Sequence, residues 1–199
     1  MIPVEQILAA MISLTQYGGD VHVDPPEDRA RLYMPTARAI SAVAANRTEA
    51  AALISLGYHE TAFARYVLQG FCEQGPVGAQ CDGGRARGPW QVWAWCTKAW
   101  DGPDGTERAI YEGAKCAIVL LRRSRTDCAR ICQATGSGCK PMIAAFSGYA
   151  GRGCEWPRAA VRVQTMALIE GRLKTQPDEG RAAVRAVRRG HVMGRWMGW

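Results

Sequence analysis

The chain has 199 residues, of which 48% are hydrophobic and 22% charged, and a formal net charge of +7. At roughly 150 residues per domain that is one domain with an appendage, and a chain of this size buries about 70% of its extended surface, so a real core is expected. The composition excludes a collagen, a coiled coil and a long disordered chain, and the longest apolar runs, Ala50 to Leu56 and Cys116 to Leu121, fall well short of a membrane span.

In chain order, the spacing of apolar residues predicts a first helix over Ile7 to Gln16, then a polar loop holding Gly18-Gly19 and Pro25-Pro26. Residues 1–34 read as an N-terminal helical extension, residues 35–175 as the main domain and residues 176–199 as a basic tail. Thr36 is positioned to cap a helix over Ala37 to Ala45, and Thr48 to start another that runs to about Tyr66. Residues 70–89, rich in Gly and Pro, read as a loop or hairpin. Further helices are expected over Val92 to Trp100, Thr106 to Arg123, Asp127 to Gln133, Pro141 to Phe146 and Pro157 to Leu173. The fold class is therefore α+β, predominantly helical, with a small β-hairpin or irregular region.

Eight cysteines, at 72, 81, 96, 116, 128, 132, 139 and 154, are an even and dense set of the kind found in oxidising compartments. Cys72, Cys81, Cys96, Cys116, Cys128, Cys132, Cys139 and Cys154 are thus disulfide candidates, with connectivity open. A metal site is the weaker alternative, because no Cys-x-x-Cys pair occurs and there are three histidines; no metal and no cofactor are expected. The first residues, Met1 to Gln6, lack the basic start of a secretory signal, so a route outside other than a simple signal peptide is expected.

Glu60 is the most informative residue. At 100° per residue it falls about 340° around from Leu53, between Leu56 and Gly57, in the middle of an apolar stripe. A carboxyl held against apolar neighbours favours its protonated form and can serve as a general acid. The competing reading is a helix-end glutamate that turns to solvent or pairs with Arg65.

Three stretches occur in one order: His59-Glu60-Thr61-Ala62-Phe63, Gly88-Pro89-Trp90-Gln91-Val92, and Ala144-Ala145-Phe146-Ser147-Gly148-Tyr149 with Gly151 and Gly153 behind it. Together they resemble the goose-type lysozyme and soluble lytic transglycosylase family over about residues 48–165. The resemblance implies a lysozyme-like fold and an enzyme that cuts the peptidoglycan bond between N-acetylmuramic acid and N-acetylglucosamine. Glu60 stands at the family's catalytic glutamate, with Thr61 for the usual Ser; Gly88, Trp90 and Gln91 match its Gly-Leu-Met-Gln motif. Phe146 and Ser147 stand where the family has tyrosine and asparagine, and Tyr149 is positioned to supply the missing hydroxyl. Asp82, six residues before Gly88, matches an upstream acid of the goose-type enzymes and is the candidate base, with Glu73 behind it. Inverting hydrolysis needs such a second carboxyl to activate water, whereas a transglycosylase uses its one glutamate twice and closes the sugar's 6-hydroxyl into an anhydro product.

Thr61, Gly88, Trp90, Gln91, Phe146, Ser147 and Tyr149 are accordingly the expected substrate-binding set. Among Trp90, Trp93, Trp95 and Trp100, at least two are expected in the core and Trp90 is expected to line the cleft. Residues 171–199 hold seven basic and two acidic residues, a net +5, with Val184, Val187, Trp196 and Trp199 interleaved. That segment suits an anionic surface or a virion or envelope protein partner; nucleic acid is not expected, since no binding fold surrounds the arginines. Cysteines without an export signal fit a phage lysin or virion-borne wall hydrolase acting outside the cell or in the periplasm. The alternatives are a non-catalytic lysozyme-like structural or glycan-binding protein and, more weakly, a membrane-active basic protein.

Overall fold

The computed structural model describes residues 2–15, 26–70, 86–93, 96 and 106–175. The elements are α1 (Val4–Thr15), α2 (Pro26–Val43), α3 (Arg47–Thr61), the single-turn α4 (Arg65–Leu68), β1 (Ala86–Arg87), β2 (Val92–Trp93), α5 (Glu107–Thr135), α6 (Pro141–Tyr149) and α7 (Ala159–Thr175). The chain is mostly helical with one two-stranded antiparallel hairpin, in which Ala86 pairs with Trp93 and Arg87 with Val92. Asp82, Glu73, Cys72, Cys81, Trp95, Trp100 and the basic tail lie outside the described residues.

The architecture is organised by α3. Every residue from Ala50 to Gly57 is buried, so this helix is covered all round rather than along a stripe. It packs against α1, α2, α5 and α7. Leu53, Ile54 and Leu56 are fully buried, each contributing about 1.5–3 kcal/mol on removal from water. Small residues allow the close approach: a Cβ on Gly57 would lie 2.6 Å from the Phe63 ring and 3.4 Å from the Trp90 indole nitrogen.

Several boundaries differ from expectation for identifiable reasons. Asn46, not Thr48, caps α3: its Oδ1 accepts the Glu49 N–H at 3.0 Å, and Glu49 Oε2 accepts the Ala45 N–H at 2.8 Å, a reciprocal arrangement close to a capping box. Thr48 instead donates to Glu170 Oε1 on α7. Thr36 is buried inside α2, which runs unbroken through the break expected after residue 34; Ile7, Leu8 and Met11 of α1 belong to the same core as α3. The two helices expected on either side of Ser124–Thr126 are one, from Glu107 to Thr135. No Gly or Pro falls at the junction, an Arg123–Asp127 pair bridges it, and Cys128 and Cys132 continue the buried face. Thr106, the first residue of the expected range, caps this helix, accepting from the Ala109 N–H. Val92 and Trp93 start no helix; they form β2, as befits a β-branched and aromatic pair following a turn.

Disulfides join Cys96 to Cys116, Cys128 to Cys154 and Cys132 to Cys139. With separations of 20, 26 and 7 residues, each stabilises by about 2–4 kcal/mol on the loop-entropy relation. No described helix is long and apolar enough to cross a membrane.

The start of α3 is clamped to α5 by a two-pronged pair: Arg122 Nε and Nη2 donate to the two Glu49 oxygens at 2.8 and 2.7 Å. The Arg122 hydrogen bond holds the Glu49 carboxyl below its ordinary value. A carboxyl lowered in the folded state adds stability that is present above the unfolded value, about 4.3, and lost as pH falls through the lower folded one. Arg122 is half exposed, so screening limits the effect. Glu49→Gln is expected to cost about 0.5–1 kcal/mol at pH 7, and to flatten the loss of stability below about pH 4.3, in urea unfolding followed across pH.

Candidate active site

Glu60 leaves the core at the C-terminal end of α3, where the helix stops at Thr61 and the chain turns through two consecutive left-handed non-glycine residues, Ala62 (φ 50°) and Phe63 (φ 54°). Thr61 holds that turn. Its Oγ1 lies 3.0 Å from the Gly57 carbonyl and 3.1 Å from the Pro89 carbonyl of the hairpin turn, and it accepts the Phe63 N–H. The β1–β2 turn spans Gly88 to Gln91, with positive φ at Gly88 (65°) and Gln91 (49°). Gln91 secures it twice, its backbone N–H and its side-chain Nε2 both donating to the Gly88 carbonyl. Ala62, Phe63 and Gln91 are the non-glycine residues at positive φ among those described, and all three lie in the first two motif segments. Backbone strain of this kind persists where surrounding contacts enforce it and clusters at functional sites.

The third segment closes the arrangement. Tyr149, at the end of α6, donates its hydroxyl to the Trp90 carbonyl at 2.7 Å, tying α6 to the hairpin turn. Burial pushes its phenol well above the usual tyrosine range, and the negative charge of Glu60 pushes further the same way. Ser147 is buried, donates to the Ile143 carbonyl at 2.7 Å and accepts the Trp156 N–H at 2.9 Å. Ser147 thus fixes the backbone at Trp156. The Cys128–Cys154 disulfide pins the same connector to α5.

The three segments line one open cleft of about 740 Å³. Its walls are Glu60, Gln91, Val92, Trp93, Tyr149 and Trp156, with Arg152, Arg158 and Arg162 beside them. Two expectations are corrected here. Trp90 is fully buried and donates its indole N–H to the Leu53 carbonyl at 2.9 Å, so it anchors the turn to α3 and is no stacking platform; Trp93, 45% exposed, lines the cleft instead. Phe146 is also fully buried and, like Ser147, supports the wall from behind rather than lining it. Gly88 and Thr61 shape the turn from behind, while Gln91 and Tyr149 reach the cleft.

Glu60 itself does not sit against an apolar wall. Its Oε1 accepts a 2.6 Å bond from Arg162 Nη1 of α7, not from Arg65. Arg162 is 7% exposed, its guanidinium lies 5.2 Å from the centre of the Trp156 ring, and its backbone carbonyl accepts the Ser55 hydroxyl. Next to Glu60, His59 is half-buried, with Nε2 2.9 Å from Thr165 Oγ1; burial, and then the charge of Arg162, lowers its basicity. Arg162 and Trp156 were not legible as site residues from the motifs. Arg162 does carry a signal, because it falls on the buried stripe of α7 with Ala159, Met166, Ile169 and Leu173, where a charge demands a partner.

Among the described residues no group of three His, Cys, Asp or Glu is arranged to hold a metal ion, and Glu60 is the one carboxylate lining the cleft. No protein-family model, curated protein or solved structure matches the chain.

Tyr149→Phe removes the hydroxyl bond to Trp90 and is expected to cost about 1 kcal/mol at neutral pH. In the unfolded chain the phenol ionises near pH 10, about the value for free tyrosine, while in the folded chain it ionises only at higher pH, so stability falls as pH rises above 10. The variant should flatten that alkaline limb in denaturant unfolding measured from pH 9 upward.

Proposed function

We propose that the chain is a peptidoglycan-degrading glycosidase that cleaves the β-1,4 bond between N-acetylmuramic acid and N-acetylglucosamine, with Glu60 as general acid. The observation that carries this reading is convergence. Glu60, Gln91 and Tyr149 come from three separate segments, yet line one cleft beside an exposed indole. A glycosidase needs a proton donor beside a groove that holds sugar rings by aromatic faces and amide hydrogen bonds, and Glu60, Trp93, Trp156 and Gln91 supply those parts.

The Glu60 carboxylate takes up a proton from solvent as the strand binds, and cleavage begins with transfer of that proton to the glycosidic oxygen, as the bond to the anomeric carbon breaks and positive charge develops on the sugar. The Arg162 contact must be exchanged for the leaving oxygen when the strand binds. The cation is then captured by water, giving a reducing end, or by the sugar's own 6-hydroxyl, giving an anhydro end; in either case the proton released by the attacking oxygen is taken up by the Glu60 carboxylate or by solvent. Three disulfides suit action on the wall, outside the cytoplasm.

The geometry also favours one alternative. The Glu60–Arg162 bond would serve a glycan-binding protein that keeps the cleft without the chemistry. Digestion of purified peptidoglycan by wild type and Glu60→Gln, with products weighed by mass spectrometry and folding checked by circular dichroism, separates the two. The expected result is muropeptide release by wild type and at least about a 100-fold slower rate for the variant. No release by folded wild type, on walls of several chemotypes, would leave the binding reading.

A further inference from the structure

The cleft carries more positive charge than the Glu60 chemistry uses. Of its three arginines, Arg162 is engaged by Glu60, whereas Arg152 and Arg158 are exposed and have no side-chain partner among the described residues. The described lining therefore has a net charge of +2, from three arginines and one carboxylate. Glu155, the acid between the two free arginines in sequence, does not line the cleft; its Oε1 lies 3.5 Å from the Cys139 sulfur.

The backbone that presents these arginines is held at several points. The Arg152 N–H donates to the Ser147 carbonyl at 3.0 Å, the Trp156 N–H donates to Ser147 Oγ, and Cys154 is bridged to Cys128. Arg158 immediately precedes α7, whose first turn has no acidic residue, so its charge adds to the positive end of the helix dipole. A cation there opposes the dipole and lowers stability unless an anion joins it. Two guanidinia lining the same cleft as Trp93 and Trp156, unpaired among the described residues, have the chemistry to take a planar anion by paired N–H donors.

We infer that Arg152 and Arg158 form a carboxylate-recognition rim that makes the cleft selective for acidic glycans, those bearing a carboxylate on the muramic acid unit, over neutral N-acetylglucosamine polymers. The inference rests on reading the cleft as a glycan site. The carboxylate has two sources: the lactyl group of muramic acid from which the peptide has been removed, or the stem peptide attached there.

Short ligands that the enzyme has no bond to cut test this on the full-length wild type. NMR titrations would compare N-acetylmuramic acid, its methyl ester, N-acetylmuramoyl dipeptide and N-acetylglucosamine, at low and high salt. The expected result is that a free carboxylate tightens binding about tenfold over the methyl ester and the neutral sugar, and that this ratio collapses towards one at high salt and in Arg152→Gln/Arg158→Gln. Preference for N-acetylmuramic acid assigns the lactyl carboxylate, and preference for the dipeptide assigns the stem. Arg158→Lys, which keeps the charge and loses the fork, should retain part of the preference. Equal affinities for acid, ester and neutral sugar, or a preference untouched by the double variant, would overturn the inference. Because nothing is cleaved, this outcome is independent of the peptidoglycan digestion: selective binding without digestion would retain the rim and reject the glycosidase, and digestion without selectivity would do the reverse.

Discussion

The ion pair between Glu60 and Arg162 is the contact on which the rest of the site depends. Neither group is freely hydrated, and a charge drawn out of water needs a partner and good geometry to be tolerated. The pair sets how α7 lies on α3, because the arginine that reaches Glu60 also accepts the Ser55 hydroxyl at its backbone carbonyl, one turn and a half back along α3. Its guanidinium in turn lies over Trp156, whose own N–H is fixed by Ser147. A line of direct contacts thus runs from the buried face of α6 through Trp156 and Arg162 to the carboxylate.

The backbone around this line is held where it would not settle by itself. Ala62 and Phe63 take left-handed conformations, each costing of order 1 kcal/mol, immediately after the helix that carries Glu60. Thr61, the buried Phe63 ring seated over Gly57, and the Trp90 indole bonded to Leu53 together keep the turn in place. Trp90 and Phe146 therefore do structural work within the motifs, leaving Trp93, Gln91 and Tyr149 for the open side. Disulfides at Cys96–Cys116 and Cys128–Cys154 brace the chain on both flanks of the cleft.

Much of the helical content was legible because apolar periodicity is a local signal. The hairpin turn was legible from its glycines and proline, whereas the stripe that singled out Glu60 did not foretell its setting, since α3 is buried all round and the carboxylate meets Arg162. The boundaries at Thr36 and Thr48 were not legible, because they turn on tertiary contacts: Thr36 is buried within α2, and Thr48 bonds Glu170 on α7. The partner of Glu60 was hidden for the same reason, since Arg162 lies 102 residues away. Burial of Trp90 rather than Trp93 was likewise a matter of which face of a two-residue strand and its turn meets α3, and four tryptophans close together in sequence leave that open.

These contacts account for a fixed carboxylate at the edge of an aromatic, arginine-rimmed groove, which we propose is where a glycan strand lies. The most direct measurement is a crystal structure of Glu60→Gln with a bound peptidoglycan tetrasaccharide. Sugar rings are expected along Trp93 and Trp156, with a glycosidic oxygen within about 3 Å of the residue 60 side chain, near enough for proton transfer. A strand bound elsewhere, or one in the groove with every glycosidic oxygen far from residue 60, would contradict the proposal.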